Sequence, residues 1–406
     1  MNDLNQNSRA ASADEVIALL NDFARPLATE RVSLENAAGR ILREPVCAPE
    51  DQPAFDRSAV DGFIVRLDDA GSEFQIVDEI RAGDWKPRSL QRGETIRIST
   101  GGALPGEQLQ VVMKEDVQAD GKTIRVTQRS QSGNIRFRGE DARAGQVLVE
   151  SGATLPPGTL ALLASVGQAK PLVTRVPRVL HLATGNEIVA PDQAPQPGQI
   201  RDSNSILVRS FLKPWQAELE QMRLPEDEAV AKAESGKRKA EIENLDLLLI
   251  SGGASVGEHD FTRRLLEHFG FEILVSKTSL RPGKPLIIAR RGNQLAFGLP
   301  GNPLAHFVCL NLFVRVALER FSGATAKPFF HQGRLAAKLE TGRNGRETFW
   351  PAQLDWRTGT SQLSPLPWSS SGDLTSLASA NALIRVPANC ADLSAGTSVE
   401  FVPTNF

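Results

Sequence analysis

The stretch Asp246-Leu247-Leu248-Leu249-Ile250-Ser251-Gly252-Gly253-Ala254-Ser255-Val256-Gly257-Glu258-His259-Asp260 constrains the fold more than any other. Its first part is an apolar run of strand length, as expected for a strand buried on both faces. A glycine-rich turn follows and leads into a helical pattern. Glycines let backbone approach an anion closely, and the free N–H groups of a helix start point at it. Asp260 adds a carboxylate at that start, a candidate metal ligand. The stretch points to a phosphate-bearing ligand with a divalent ion beside it. A glycine turn used only for close packing is the competing reading.

The surroundings of this turn alternate strand and helix from about 177 to 322. Strands are expected at Arg178 to Ala183, Ala217 to Leu224, Asp246 to Ile250, Phe271 to Lys277, Leu286 to Arg290 and Leu295 to Leu299. Helices are expected at Ser203 to Leu212, Glu226 to about Ala240 and His259 to Phe269, and a long one capped by Asn302-Pro303;. That order implies a mostly parallel sheet with helices on both faces. Ligands of such sheets bind outside the carboxyl ends of the strands, where the glycine turn stands.

Other periods flank this region. Ser12-Ala13-Asp14-Glu15 reads as a capping box, followed by Val16, Leu19, Leu20 and Phe23 at helical spacing;. From about 50 to 145, FIVRL, EFQIVDEI, ETIRIST, QVVMKEDV, TIRVTQ and NIRFRG are short β-rich runs between turn clusters, and an antiparallel region is expected;. Helical character resumes at Leu160 to Ala164, so the β region reads as an insertion in a mixed domain. From about 330 to the end, GRLAAKL, TFWPAQL, NALIRV and SVEFVP suit a small β-barrel or sandwich;.

With 406 residues the chain is too long for one core;. A net charge of -2 offers no basic field for nucleic acid, so no nucleic-acid partner is expected;. No apolar run reaches the roughly 18 residues of a membrane span, and no signal-peptide pattern opens the chain. Cys47, Cys309 and Cys390 form neither a metal spacing nor a disulfide framework, which fits a reducing cytoplasm;. The five histidines lack metal spacing. The Trp residues at 350, 356 and 368 read as barrel packing.

Further motifs carry candidate chemistry. In Thr278-Ser279-Leu280-Arg281-Pro282-Gly283-Lys284-Pro285, Arg281 and Lys284 are placed to face one small dianion, Arg as a fork and Lys as a point charge;. Phe297-Gly298-Leu299-Pro300-Gly301-Asn302-Pro303 ends a strand and opens a helix, offering further backbone donors;. Ala183-Thr184-Gly185-Asn186-Glu187 ends another strand with a carboxylate. Asp56-Arg57-Ser58-Ala59-Val60-Asp61-Gly62-Phe63 and Asn134-Ile135-Arg136-Phe137-Arg138-Gly139-Glu140-Asp141 combine acids and cations near strands. Solvated turns, polar loops and capped helices are the competing readings in isolation, and a polar loop is the favoured one for the Asp56 to Phe63 stretch.

Taken in order, DRSAVDGF, RISTGGALPGE, VVMKEDV, NIRFRGEDARAG, LATGNEIV, SGGASVGEHDF, RPGKPL and GLPGNP resemble one family over nearly the whole chain. It is the molybdopterin molybdenumtransferase family, MoeA, to which the gephyrin E domain is related. The resemblance implies an α/β and β multidomain fold. An elongated mixed α/β domain spans 1–48 and 145–176, an inserted β domain 49–144, an α/β pterin-binding (MogA-like) domain 177–327 and a C-terminal β-barrel 328–406. It implies a homodimer whose site lies at the subunit interface. It also implies insertion of molybdenum from molybdate into adenylylated molybdopterin, with Mg2+-dependent release of AMP. Molybdopterin adenylyltransferase and molybdoenzyme maturation proteins are the implied further partners.

The family's roles fall on residues of this chain. Asp61, Thr100, Glu187, Asp227 and Asp260 match catalytic positions, with Asp61 and Asp260 as the magnesium ligands. Arg136, Asp141, Ser251, Gly252, Gly253, Ser255, Gly257, Arg281, Lys284, Pro300, Gly301, Asn302, Arg346 and Ser371 match substrate-binding positions. Elementary chemistry agrees, since molybdate is a tetrahedral dianion that suits Arg, Lys, Ser and N–H donors. The chain departs from the usual pattern at Arg281, where Lys is common, at Asn186, where Asp is common, and at Gly372. A non-catalytic pterin-binding or scaffold paralogue is the alternative within the family. An ordinary nucleotide phosphotransferase lacks support, because no GxxxxGK[ST] loop is present;.

Overall fold

The computed structural model describes residues 9–129, 133–227, 239–253, 261–325, 328–356 and 361–404. The chain divides into two compact units, residues 1–43, 152–155 and 172–406 in one and residues 44–151 and 156–171 in the other.

The first unit is built on a six-stranded sheet in the order Glu218–Leu224, Arg178–Thr184, Leu247–Ser251, Gln294–Leu299, Ile287–Arg291, Glu272–Val275. The first four strands are parallel, and only Ile287–Arg291 runs against its neighbours. Strand alternation sends side chains into two cores. Val179, Leu247 and Leu249 enter one, and Leu180, Leu182, Leu248 and Ile250 the other;. Helix Asn204–Leu212 covers the first core through Val208, Phe211 and Leu212, and Phe261–His268 covers the second through Phe261, Leu265 and Leu266. The expected parallel sheet with two helical layers is therefore present.

Helix Ala13–Phe23 starts with the expected capping box. Ser12 Oγ accepts from Glu15 N at 3.3 Å, and the Glu15 carboxylate accepts from Ser12 N at 2.8 Å. Its Val16, Leu19 and Leu20 join the first core. The long C-terminal helix runs as Pro303–Cys309, a π-helical turn Leu310–Val314 and Arg315–Ser322, and Gly323 ends it at φ 70°. Asn302 stands at its N-cap with Pro303 in the first turn, as expected, but the Asn302 side chain makes no capping hydrogen bond. Of the helix expected from Glu226, residues 228–238 lie outside the described ones, Glu226 and Asp227 are not helical, and Lys239–Asn244 is a helix.

In the same unit five strands close into a barrel: His331–Leu335, Glu347–Asp355, Gln362–Pro365, Ala382–Val386 and Ser398–Pro403. Leu335, Leu354, Leu363, Ile384 and Phe401 fill it. Phe349, Leu383 and Val402 point the other way and enter the first α/β core. Leu280-Arg281 adds a short parallel strand against Glu347-Thr348, so the basic turn is joined to the barrel wall.

The second unit holds another six-stranded sheet, in the order Leu109–Met113, Gly62–Arg66, Glu94–Ile98, Glu73–Ile80, Thr123–Val126, Val117–Asp120. The expectation of a wholly antiparallel region is corrected by one pair, since Glu73–Ile80 and Glu94–Ile98 run parallel. The thirteen residues between them, Arg81 to Gly93, exceed any hairpin turn and permit that crossover;. NIRFRG contributes only the two-residue strand Ile135–Arg136, paired with Arg57–Ser58. Leu160 to Ala164 lie in helix Pro157–Ser165, as expected.

Candidate functional site

Register fixes the composition of one edge of the α/β sheet. Thr184 pairs with Leu224, Ala183 with Ser251, and Ser251 with Leu299, so four parallel strands end together. Their continuations are Gly185-Asn186-Glu187, Pro225-Glu226-Asp227, Gly252-Gly253 and Pro300-Gly301-Asn302. Glu187 and Asp227 are exposed there. Burial, and then the nearby Glu187 carboxylate, pushes the Glu226 carboxyl above its ordinary value;. Ser255, Gly257 and Asp260 lie outside the described residues.

The glycine bend is sterically required. Gly252 has φ +89° and would place a Cβ 2.5 Å from the Thr184 carbonyl oxygen. Its N–H donates to Leu299 O at 3.3 Å, and its carbonyl accepts from Thr262 Oγ1 at 2.8 Å. Gly253 follows at φ +62°. On the next strand end, Gly301 O accepts from Asn204 Nδ2 at 2.8 Å, and His306 Nδ1 meets Pro300 O at 3.1 Å. Burial pushes the His306 imidazole down to about 4.

The Glu272–Val275 strand ends at this same edge, because it is parallel to Gln294–Leu299 across the reversed strand. The basic turn follows directly. Its side chain at Lys284 is exposed, and Thr278 Oγ1 braces the turn by donating to Gly283 O at 2.9 Å. The Arg281 guanidinium lies 5.0 Å from the Trp368 ring centroid, a cation–π contact that assigns Trp368 a role beyond barrel packing;. Arg346 joins the turn by donating to Leu280 O at 3.1 Å.

A barrel loop links the two groups. Asn302 Nδ2 donates to Ser371 Oγ at 2.8 Å, while Trp368 meets Arg281. Three residues of chain reach at most about 11 Å, so the Asn302 strand end and the basic turn are neighbours. The expected extra backbone donors at the helix start are corrected here. Leu304 N and Ala305 N both donate to Ser371 O, at 3.0 and 3.4 Å.

In the second unit Asp61 and Thr100 are in direct contact. Asp61 Oδ1 accepts from both Thr100 N and Thr100 Oγ1 at 2.8 Å, and Oδ2 faces Lys114 Nζ at 3.4 Å. The Thr100 amide, the Thr100 hydroxyl and Lys114 hold the Asp61 carboxyl below its ordinary value;. The short strand Arg57–Ser58 lies between the Thr100 turn and Arg136: Gly101 N donates to Ser58 O, and Arg136 pairs with Arg57. Arg136 is itself ion-paired, to Glu140 and, at 2.5 Å, to Asp141.

Several contributors escaped the motif reading, namely Lys114, Trp368, His181, Asn204 and His306. His181 alone carried a signal, as the single polar residue within the apolar run of RVLHLAT;. Among the described residues, no group of three or more His, Cys, Asp or Glu is placed to hold a metal.

Comparison with known proteins decides the family. Residues 11–167 match the profile of the MoeA N-terminal region (domain I and II), 181–320 that of a probable molybdopterin binding domain, and 332–404 that of the MoeA C-terminal region (domain IV). The chain belongs to the MoeA family. It is 32% identical over 399 residues to the molybdopterin molybdenumtransferase of Bacillus subtilis (strain 168), covering 95% of this chain and 92% of that one. The Staphylococcus aureus (strain Mu50 / ATCC 700699) protein of the same name is 30% identical, with 92% and 90% covered. The crystal structure of the molybdopterin biosynthesis MoeA protein from Pyrococcus horikosii superposes with a TM-score of 0.80 at 30% identity, over 98% of this chain and 100% of that one. As a MoeA-family member the chain is an enzyme of molybdenum cofactor biosynthesis, and its fold is the MoeA fold. Among the described residues, no helix is long and apolar enough to cross a membrane.

Proposed function

We propose that this enzyme inserts molybdenum from molybdate into adenylylated molybdopterin and releases AMP, with the strand-end edge as its pterin and anion site. The observation that carries the reading is the convergence of the Gly252-Gly253 bend, the Glu187 and Asp227 carboxylates and the Arg281, Lys284 and Arg346 cations on that edge. The cations suit a phosphate and a tetrahedral oxyanion. The acids suit the polar face of a pterin. No protein nucleophile is required, since water attacks the anhydride.

Asp61 fits a magnesium ligand. It is exposed and its carboxyl stays ionised; Thr100 occupies Oδ1, and Oδ2 faces the exposed Lys114 Nζ at 3.4 Å, which magnesium would displace. Magnesium takes one or two carboxylates and completes its shell with water and substrate phosphate, so a protein cage of three acids is not needed. Asp61 and Asp260 would hold it. When bound, the ion neutralises charge at the anhydride. Thr100 orients the Asp61 carboxylate, and Arg281 and Lys284 bind the anion.

The reading includes a homodimer, a cytoplasmic location, and delivery of product to molybdoenzyme maturation proteins. It also includes the four-part division at 1–48 with 145–176, 49–144, 177–327 and 328–406. The test is incubation with adenylylated molybdopterin, molybdate and magnesium, with AMP followed by chromatography. Magnesium-dependent AMP release that restores an apo-molybdoenzyme is expected, and Asp260→Asn should abolish it while the sizing profile stays unchanged. Tight pterin binding without AMP release would overturn the catalytic reading.

A further inference from the structure

Beneath the glycine bend lies a directed chain of hydrogen bonds. The exposed Arg209 donates to Gln221 Oε1 through Nε at 3.0 Å and Nη2 at 2.7 Å. Guanidinium has only donors, so the Gln221 amide orientation is fixed with its oxygen toward Arg209. Its Nε2 then donates to Ser205 O at 2.9 Å and to His181 Nδ1 at 3.0 Å. An imidazole that accepts at Nδ1 carries its proton on Nε2. His181 Nε2 lies 2.6 Å from Ser251 Oγ, so His181 donates and Ser251 accepts. His181 is fully buried and Ser251 is 2% exposed. Burial first, then the neighbouring His306, pushes the His181 imidazole down to about 3, which keeps one neutral tautomer at physiological pH;.

The Ser251 hydroxyl retains one proton. No acceptor for it stands among the described residues, and Ser251 is the last residue of its strand, directly before the glycine bend. We propose that His181 is a positioning residue: by donating to one lone pair of Ser251 Oγ it aims the Ser251 proton at an acceptor atom of the ligand at the strand ends, with Gln221 and Arg209 fixing the direction of the chain;. The inference rests on the reading of that edge as the molybdopterin site. A serine hydroxyl without this chain rotates freely and serves as donor or acceptor. Here one lone pair is occupied by His181, which restricts the rotor and leaves the proton for a ligand oxygen or unprotonated ring nitrogen;.

Two measurements test it. Nitrogen-15 NMR of histidine-labelled full-length protein is expected to show His181 as the neutral Nε2–H tautomer from pH 5 to 8. An Nδ1–H tautomer, or an imidazolium in that range, overturns the proposal without any variant. Fluorescence titration with molybdopterin is the second. His181→Leu is expected to weaken binding roughly three- to tenfold, the loss of one hydrogen bond. His181→Gln, which keeps a donor and an acceptor, should restore it, and adding Ser251→Ala to His181→Leu should cost nothing further. Arg209→Ala, a surface change that leaves the core intact, should weaken binding in the same direction. Wild-type affinity in His181→Leu, or additive losses in the double variant, overturns the proposal alone. Failure of the wild type to bind molybdopterin overturns the parent reading and the inference with it.

Discussion

At the scale of single residues, the contact most open to measurement is Asp61 with Thr100. The depressed Asp61 pKa means that the contact favours the native state above the ordinary carboxyl value and is lost as pH falls through the lower native one;. Thr100→Val removes the hydroxyl and keeps the amide, so the Asp61 pKa should rise part of the way toward the ordinary carboxyl value. Carbon-13 titration of the Asp61 carboxyl checks this, and an unchanged value would show that the hydroxyl contributes nothing. Asp61, Thr100, Glu187 and Lys284 were singled out from motifs and the family resemblance; Asp61 and Thr100 are in contact, and Glu187 and Lys284 are exposed. Trp368 was not legible in this way, because an aromatic in a barrel segment is ordinarily packing, and only the fold brings it under Arg281. The pairing of Arg136 with its own loop acids was equally hidden, since alternation places a side chain on a face without naming its partner.

At the scale of elements, the glycine bend is the least tolerant piece of backbone. Gly252→Ala combines a left-handed φ with a Cβ 2.5 Å from Thr184 O, and should destabilise the protein by about 2–3 kcal/mol, read as a lower urea midpoint;. Wild-type stability in that variant would mean that the Leu247–Ser251 and Arg178–Thr184 strand ends separate easily. Buried strands were the clearest part of the sequence, because period-2 alternation between two apolar cores leaves a run such as LLLI no other environment;. The parallel pairing of Glu73–Ile80 with Glu94–Ile98 was not legible, because half-buried strands read alike in either direction;. The position of the long helix's cap was legible, but not what satisfies its first amides. Asn302-Pro303 has the composition of a cap, while the acceptor of the first-turn amides comes from Ser371, far along the chain.

At the scale of the whole molecule, the barrel and the α/β sheet share a core within the first unit. Phe349 is fully buried where the barrel wall faces that core. Phe349→Ala should cost about 3–5 kcal/mol and lower both parts in one cooperative transition. Hydrogen exchange followed by mass spectrometry checks this, and a barrel that opens while the sheet keeps its protection would contradict it. The separate barrel strands were visible as β-rich runs, but their closure and their attachment through Leu280-Arg281 depend on pairings that no local pattern encodes. The Ser371 loop has a practical corollary for protein engineering. Its backbone oxygen supports the helix and its side chain meets Asn302, so substituting the side chain removes the Asn302 contact and spares the helix support. Lengthening or shortening the segment from Ser369 to Asp373 would instead pull the oxygen from the helix, and a defect from such an indel would report architecture rather than recognition.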